Sequence, residues 1–293
     1  MITKPSLVDS YLPNLGEWWL RCISSPWLFV ALLIVGVLSV RRHGVLSYGS
    51  YKATFWGLFF ALVCFGEQML WGFNSANIGL IALLIIVMLS DSIVDSISHS
   101  RSPFFVYDIG LLLGLLFIIH PAFLLLIPYF ILKLRRIKSG TIKHIIALLV
   151  GVLTILLIAT ISFARRDWSG VVGYWASWLA PIKEIHWGDL KDVVIMLLNA
   201  IYLMISSFAI WQLYHSSTIR VRAAISFHLQ LAWILMALHL VFGSENYHLG
   251  FLLGSLFLCS TMVDYLLTDK HSRWVLFPLI GILLTTIGLG VWL

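Results

Sequence analysis

The stretch Asp108–Lys138, DIGLLLGLLFIIHPAFLLLIPYFILKLRRIK, holds two apolar runs of about fifteen residues that meet at His120-Pro121 and end in a basic cluster of Lys133, Arg135, Arg136 and Lys138. Proline lacks a backbone donor and disfavours helix at the residue before it, so His120 marks a break between two short helices. Each arm rises about 1.5 Å per residue and reaches roughly 22 Å, short of a hydrocarbon core of about 30 Å. A break at that depth needs protein or a water-filled cavity around its freed backbone groups. A short-armed hairpin at 106–135 is therefore expected inside the molecule, with the faces of Gly110 and Gly114 set against a neighbouring helix.

Composition places the hairpin in a membrane. Hydrophobic residues make up 60% of the 293 and charged residues 11%, with a mean hydropathy of +0.98; soluble domains carry roughly 25% charge. The fold expected is an all-α, polytopic membrane helical bundle of about nine or ten transmembrane segments, forming a single transmembrane domain over 1–293. The net charge of +6 is spread over short loops between apolar runs, where it reads as a topology signal and not as a nucleic-acid footprint. Cys22, Cys64 and Cys259 show no metal-ligand or disulfide spacing, and no metal or cofactor is implied.

The first span, about 26–40, ends at Arg41-Arg42-His43, which puts that end in the cytoplasm and the interfacial N-terminal segment 1–25 outside. Further spans follow at about 51–66 and 78–89, then the hairpin, then 141–164, 193–214, 223–242, 249–267 and 274–293. The Trp-rich segment 167–192, with Trp168, Trp175, Trp178 and Trp187, suits the headgroup level, where an indole keeps its N–H wet and its ring buried. Thirteen of the nineteen Lys and Arg then face the cytoplasm or its boundary and six face outward.

Chemistry has to come from scattered polar residues, because no phosphate loop, dinucleotide fingerprint, nucleophile elbow or zinc-protease motif is present. His120 would either contact a phosphate or carboxylate, or bond the carbonyls that Pro121 leaves without partners. Asp108 reads as a first-turn acid complementing the helix dipole. His228 and His239, eleven residues apart, share a helix face about 16 Å apart, too far for one metal, and form a polar stripe toward neighbouring helices or a proton path. The outer loops hold Glu67, Glu184, His186, Asp189, Glu245 and His248, with His239 near the same boundary, a set whose carboxylates and imidazoles suit a general base or a divalent cation, or else ordinary solvation of loops.

Two resemblances bear on function. Gly110 and Gly114, the His120-Pro121 break, Leu124 to Leu126 and Arg135-Arg136 occur in the order seen in the core of membrane glycosyltransferases that use polyprenyl-phosphate sugars, over about eighty residues. That resemblance implies a site at the outer membrane face, with Glu67 as catalytic base and His120, Arg165 and Arg166 binding a polyprenyl-phosphate-linked substrate. Over nearly the whole chain, Asp108, Gly110 and Gly114, together with Asp264, Tyr265, Lys270, Arg273 and Trp274, resemble a family of uncharacterised multi-spanning inner-membrane proteins of Bacteroidota. It implies a cell-envelope setting in the inner (cytoplasmic) membrane. Three classes of function stay open: an enzyme on a lipid-linked glycan precursor, a small carrier or flippase, and a non-catalytic scaffold or subunit. Partners would be membrane lipids and other envelope membrane proteins.

Overall fold

A computed structural model describes residues 25–48, 77–93, 103–119, 121–136, 141–164, 190–216 and 218–242, with Gly281. Among them the regular structure is helical throughout: α1 (Pro26–Tyr48), α2 (Asn77–Ile93), α3 (Pro103–Ile119), a 3₁₀ turn (Pro121–Leu125), α4 (Leu126–Arg136), α5 (Ile142–Ala164), α6 (Leu190–Ser216) and α7 (Ile219–Phe242). The spans expected at 51–66, 249–267 and 274–293 lie outside the described residues, apart from Gly281.

The hairpin region divides as its prolines direct. Pro103 opens α3, where its missing N–H is one the first turn leaves without a partner anyway. The helix stops at Ile119, one residue before His120-Pro121, and the chain turns through Pro121–Leu125. Pro128 falls in the first turn of α4, where it is tolerated. Leu126, Phe130 and Leu134, four residues apart, bury one stripe of α4 while Arg135 stays exposed.

Two sequence expectations change here. Asp108 is the sixth residue of α3, exposed and past the first turn, because the helix starts at the proline and not at the acid; it is no cap. In α1 the apolar part ends at Ser39, yet the helix continues through Arg41-Arg42 to Tyr48. Charge ends an apolar span without ending a helix, since Arg is a good helix former.

Helix directions follow from contacts. Gly110 lies against Leu148 and Gly151, and Gly114 against Val152 and Ile155. Both sides of the contact advance together, so α3 and α5 run parallel. The chain leaves α3 at one end and re-enters α5 at the other, and the turn with α4 carries it back. α3 thus packs most closely on α5, while its contacts with α4 run through the 3₁₀ turn. α6 and α7, joined by a short connection, form an antiparallel pair. The Trp233 indole N–H of α7 donates to Ser207 Oγ at 3.1 Å, and that hydroxyl donates to the Leu203 carbonyl at 2.6 Å.

α2 is buried on nearly every side through Leu80, Leu83, Ile86, Val87, Leu89 and Ile93, so it lies at the centre of the core. At its start the Asn77 amide donates to the Ser25 carbonyl at 3.3 Å, which also accepts from the Phe29 N–H in the first turn of α1. The N-termini of α1 and α2 therefore meet, and Tyr48 stands at the far end of α1 from Asn77.

Among the described residues two helices are long and apolar enough to cross a membrane, Ile142–Ile161 of α5 and Val221–Leu238 of α7. Only 17% of the first window is buried, against 50% of the second. The difference is directional: α5 turns Ile146, Leu149, Leu153, Leu157, Ile158 and Ile161 outward.

Candidate functional site

α4 presents a tyrosine and a lysine four residues apart, hence on one face, and that face meets α7. The Tyr129 hydroxyl donates to the Phe227 carbonyl at 3.0 Å, and the two rings stack with centroids 5.8 Å apart. Phe130 meets Phe227 edge-on at 6.0 Å. The Lys133 ammonium stands 5.4 Å from the Tyr129 ring centre and 5.9 Å from that of Phe227, a cation held over two aromatic faces. Next to them His228 is fully buried, its ring 5.6 Å from that of Phe227, in keeping with a face turned toward neighbouring helices.

This cluster does two things. It closes the interior with aromatic rings, and it fixes the basic end of α4 beside the first half of α7, whose opening turns carry Arg220 and Arg222. α5 begins at the same end with Lys143, a few residues after α4 finishes. Basic residues of three helices therefore gather at one end of the bundle. The charge of Lys133 is legible in the sequence as a topology signal, and the Tyr129-x3-Lys133 spacing is the sign there of its second role.

A shallow open groove of about 320 Å³ runs between the first turns of α3 and α5, lined by Phe104, Tyr107, Lys143, Ile146 and Val150 among others. Above it the Tyr107 hydroxyl donates to Thr154 Oγ1 at 3.3 Å, and Thr154 in turn donates to the Val150 carbonyl at 2.8 Å. At the start of α5 the Thr141 hydroxyl bonds His144 Nδ1, and the Thr141 carbonyl accepts the His144 N–H at 3.0 Å. These contacts close the first turn as a cap.

All four residues singled out for chemistry, Glu67, His120, Arg165 and Arg166, lie outside the described residues, as do Glu184, His186, Asp189, Glu245 and His248 and the Trp-rich segment up to Asp189. The described residues adjoining them are informative for two sites: Ile119 precedes His120 and Ala164 precedes Arg165. Both end helices that run parallel and finish at the same end of the bundle, opposite the basic end. Among the described residues no group of three or more His, Cys, Asp or Glu comes together as a metal site would require.

Comparison with protein-family models, with curated proteins and with solved structures finds no match to this chain.

Proposed function

We propose that this chain is a multi-pass protein of the bacterial cytoplasmic membrane whose outer end handles a phosphate-bearing, lipid-linked glycan precursor. The observation that carries the reading is the parallel packing of α3 on α5. With Gly114 set between Val152 and Ile155, Ile119 stands level with the last turns of α5, and Ala164 lies only about 8 Å further along the axis. His120 and the Arg165-Arg166 pair are the next residues in the chain after these two helix ends and lie outside the described residues; in this reading their imidazole and guanidinium groups converge on one phosphate, which arginine grips through paired hydrogen bonds. Glu67 is the candidate base, and its task would require it within about 3 Å of an acceptor hydroxyl.

Membrane insertion is supported by the outward apolar faces. Besides α5, α1 exposes Trp27, Val30, Ile34 and Leu38, and α6 exposes Leu197, Met204, Phe208 and Trp211. Water would oppose three such stripes on one molecule, since soluble monomers rarely show apolar patches beyond a few hundred Å². Multiple passes are supported by the meeting of Ser25 with Asn77, which requires the chain to return the length of α1 between Tyr48 and Asn77. The gathering of Lys133, Arg135, Lys143 and Arg222 at one end supports assigning that end to the cytoplasm.

The test is Glu67→Gln, and separately Arg165→Ala with Arg166→Ala, in cells with protein level matched, scored by envelope glycan profile. Loss of one glycan species in both variants is expected. An unchanged profile in both would assign the chain to the non-catalytic membrane subunits instead.

A further inference from the structure

The groove at the start of α3 and α5 combines two features that one kind of ligand matches. Its open lining is apolar, supplied by Pro103, Phe104, Ile146, Ala147 and Val150, and among the described residues the one charged residue lining it is Lys143. Lys143 is exposed and makes no ion pair among the described residues. The Tyr107 hydroxyl is directed to Thr154 instead. The backbones of α3 and α5 are closest at Gly110 and Gly151, and the exposed side chains of Phe104 and Ile146 edge the trough below that crossing. Its volume of about 320 Å³ sits at the lower end of small-ligand sites.

We infer that this groove binds one anionic phospholipid, with an acyl chain along Phe104, Ile146 and Val150 and the phosphate on the Lys143 ammonium. The inference rests on the membrane reading above and goes beyond it by placing a specific lipid at the basic end. Charge complementarity selects the headgroup. Lys143 lies at the end of the bundle that also carries Lys133, Arg135 and Arg222, where the local field favours an anion over a zwitterion, and basic pockets between membrane helices are recurrent sites for acidic headgroups. The apolar lining requires that the anion arrive on an acyl chain, which inorganic phosphate lacks.

Native mass spectrometry of the full chain in detergent, supplied with phosphatidylglycerol or phosphatidylcholine of identical acyl chains, tests this. One phosphatidylglycerol should be retained in preference to phosphatidylcholine. Lys143→Gln, which keeps most of the stem and removes the charge, should lower phosphatidylglycerol retention about fivefold, the contribution of one lysine near an anionic surface. Ala147→Phe, which fills the trough, should lower retention of both lipids. Equal retention of the two lipids by the native chain, or an unchanged preference in Lys143→Gln, overturns the inference. A carbonate wash of cell membranes distinguishes membrane insertion from lipid binding at this groove. Release of the chain by the wash would overturn the membrane reading and this inference with it, whereas a chain that resists the wash yet shows no lipid preference overturns the lipid site alone.

Discussion

Gly110 and Gly151 face each other across the α3–α5 crossing so closely that a Cβ added at Gly110 would stand 3.0 Å from the Gly151 Cα and collide with the Leu148 carbonyl oxygen. The contact is reciprocal. A Cβ at Gly151 would stand 2.9 Å from the Gly110 Cα and strike the Tyr107 carbonyl. Lipid tails are as apolar as leucine, so helices in a bilayer associate through close backbone approach and not through water expulsion, and small residues make that approach possible.

Gly110→Ala and Gly151→Ala should each destabilise the chain by about 1–3 kcal/mol, the usual cost of overpacking, because the obstructing atoms are backbone. Gly114→Ala should cost less, since its nearest obstruction, the Ile155 Cβ at 2.8 Å, overlaps less than the carbonyl oxygens met at Gly110 and Gly151; Gly114→Leu should be as damaging as the other two. Unfolding by SDS titration in mild detergent gives the order. Gly114→Ala proving the worst of the three alanine variants would contradict the packing described.

Tyr129→Phe removes one hydrogen bond to the Phe227 carbonyl and keeps the stacked ring. Interhelical hydrogen bonds in membranes average about 0.6 kcal/mol and reach about 1.7, so a loss in that range is expected. Tyr129→Leu should cost more, because it also removes the ring under Lys133. Equal stability of the two variants would mean that the stacking and the cation contribute nothing.

Asn77→Leu tests the junction of α1 with α2. The side chain is buried and its amide reaches the Ser25 carbonyl, so the near-isosteric leucine should lower stability by about 0.6–1.7 kcal/mol. Hydrogen exchange at the start of α1, around Phe29, should rise more than exchange in α5. A uniform rise across the chain would indicate that the contact does not hold these two ends locally.

Single cysteines at Lys143 and Lys191, at the first turns of α5 and α6, should react with an impermeant thiol reagent from opposite sides of the membrane. Lys143 is expected to be protected in intact cells and Lys191 labelled. Labelling of both from outside would break the assignment of the basic end to the cytoplasm.

Hydropathy and charge determined the helical class, because a chain with 60% hydrophobic and 11% charged residues has to satisfy its backbone internally wherever water is absent. Pro121 located the break, since its effect on φ and on the preceding residue is local. The same local logic misplaced Asp108, whose distance from the helix start depended on Pro103 five residues earlier. Which helix would receive the Gly110–Gly114 face was not legible. Gly151 lies some forty residues away in a run of apolar residues, and only the return of the chain through α4 makes α3 and α5 parallel neighbours in register. Lys133 divides in the same way: its charge marked the end of the hairpin from sequence alone, but the rings beneath it come from Tyr129 and from Phe227, 94 positions further on. Contacts at such separations depend on the directions of whole helices, which local residue patterns do not encode: charge asymmetry already set the basic ends of α4, α5 and α7 on one side, and tertiary packing alone decided that Tyr129 of α4 stacks on Phe227 of α7.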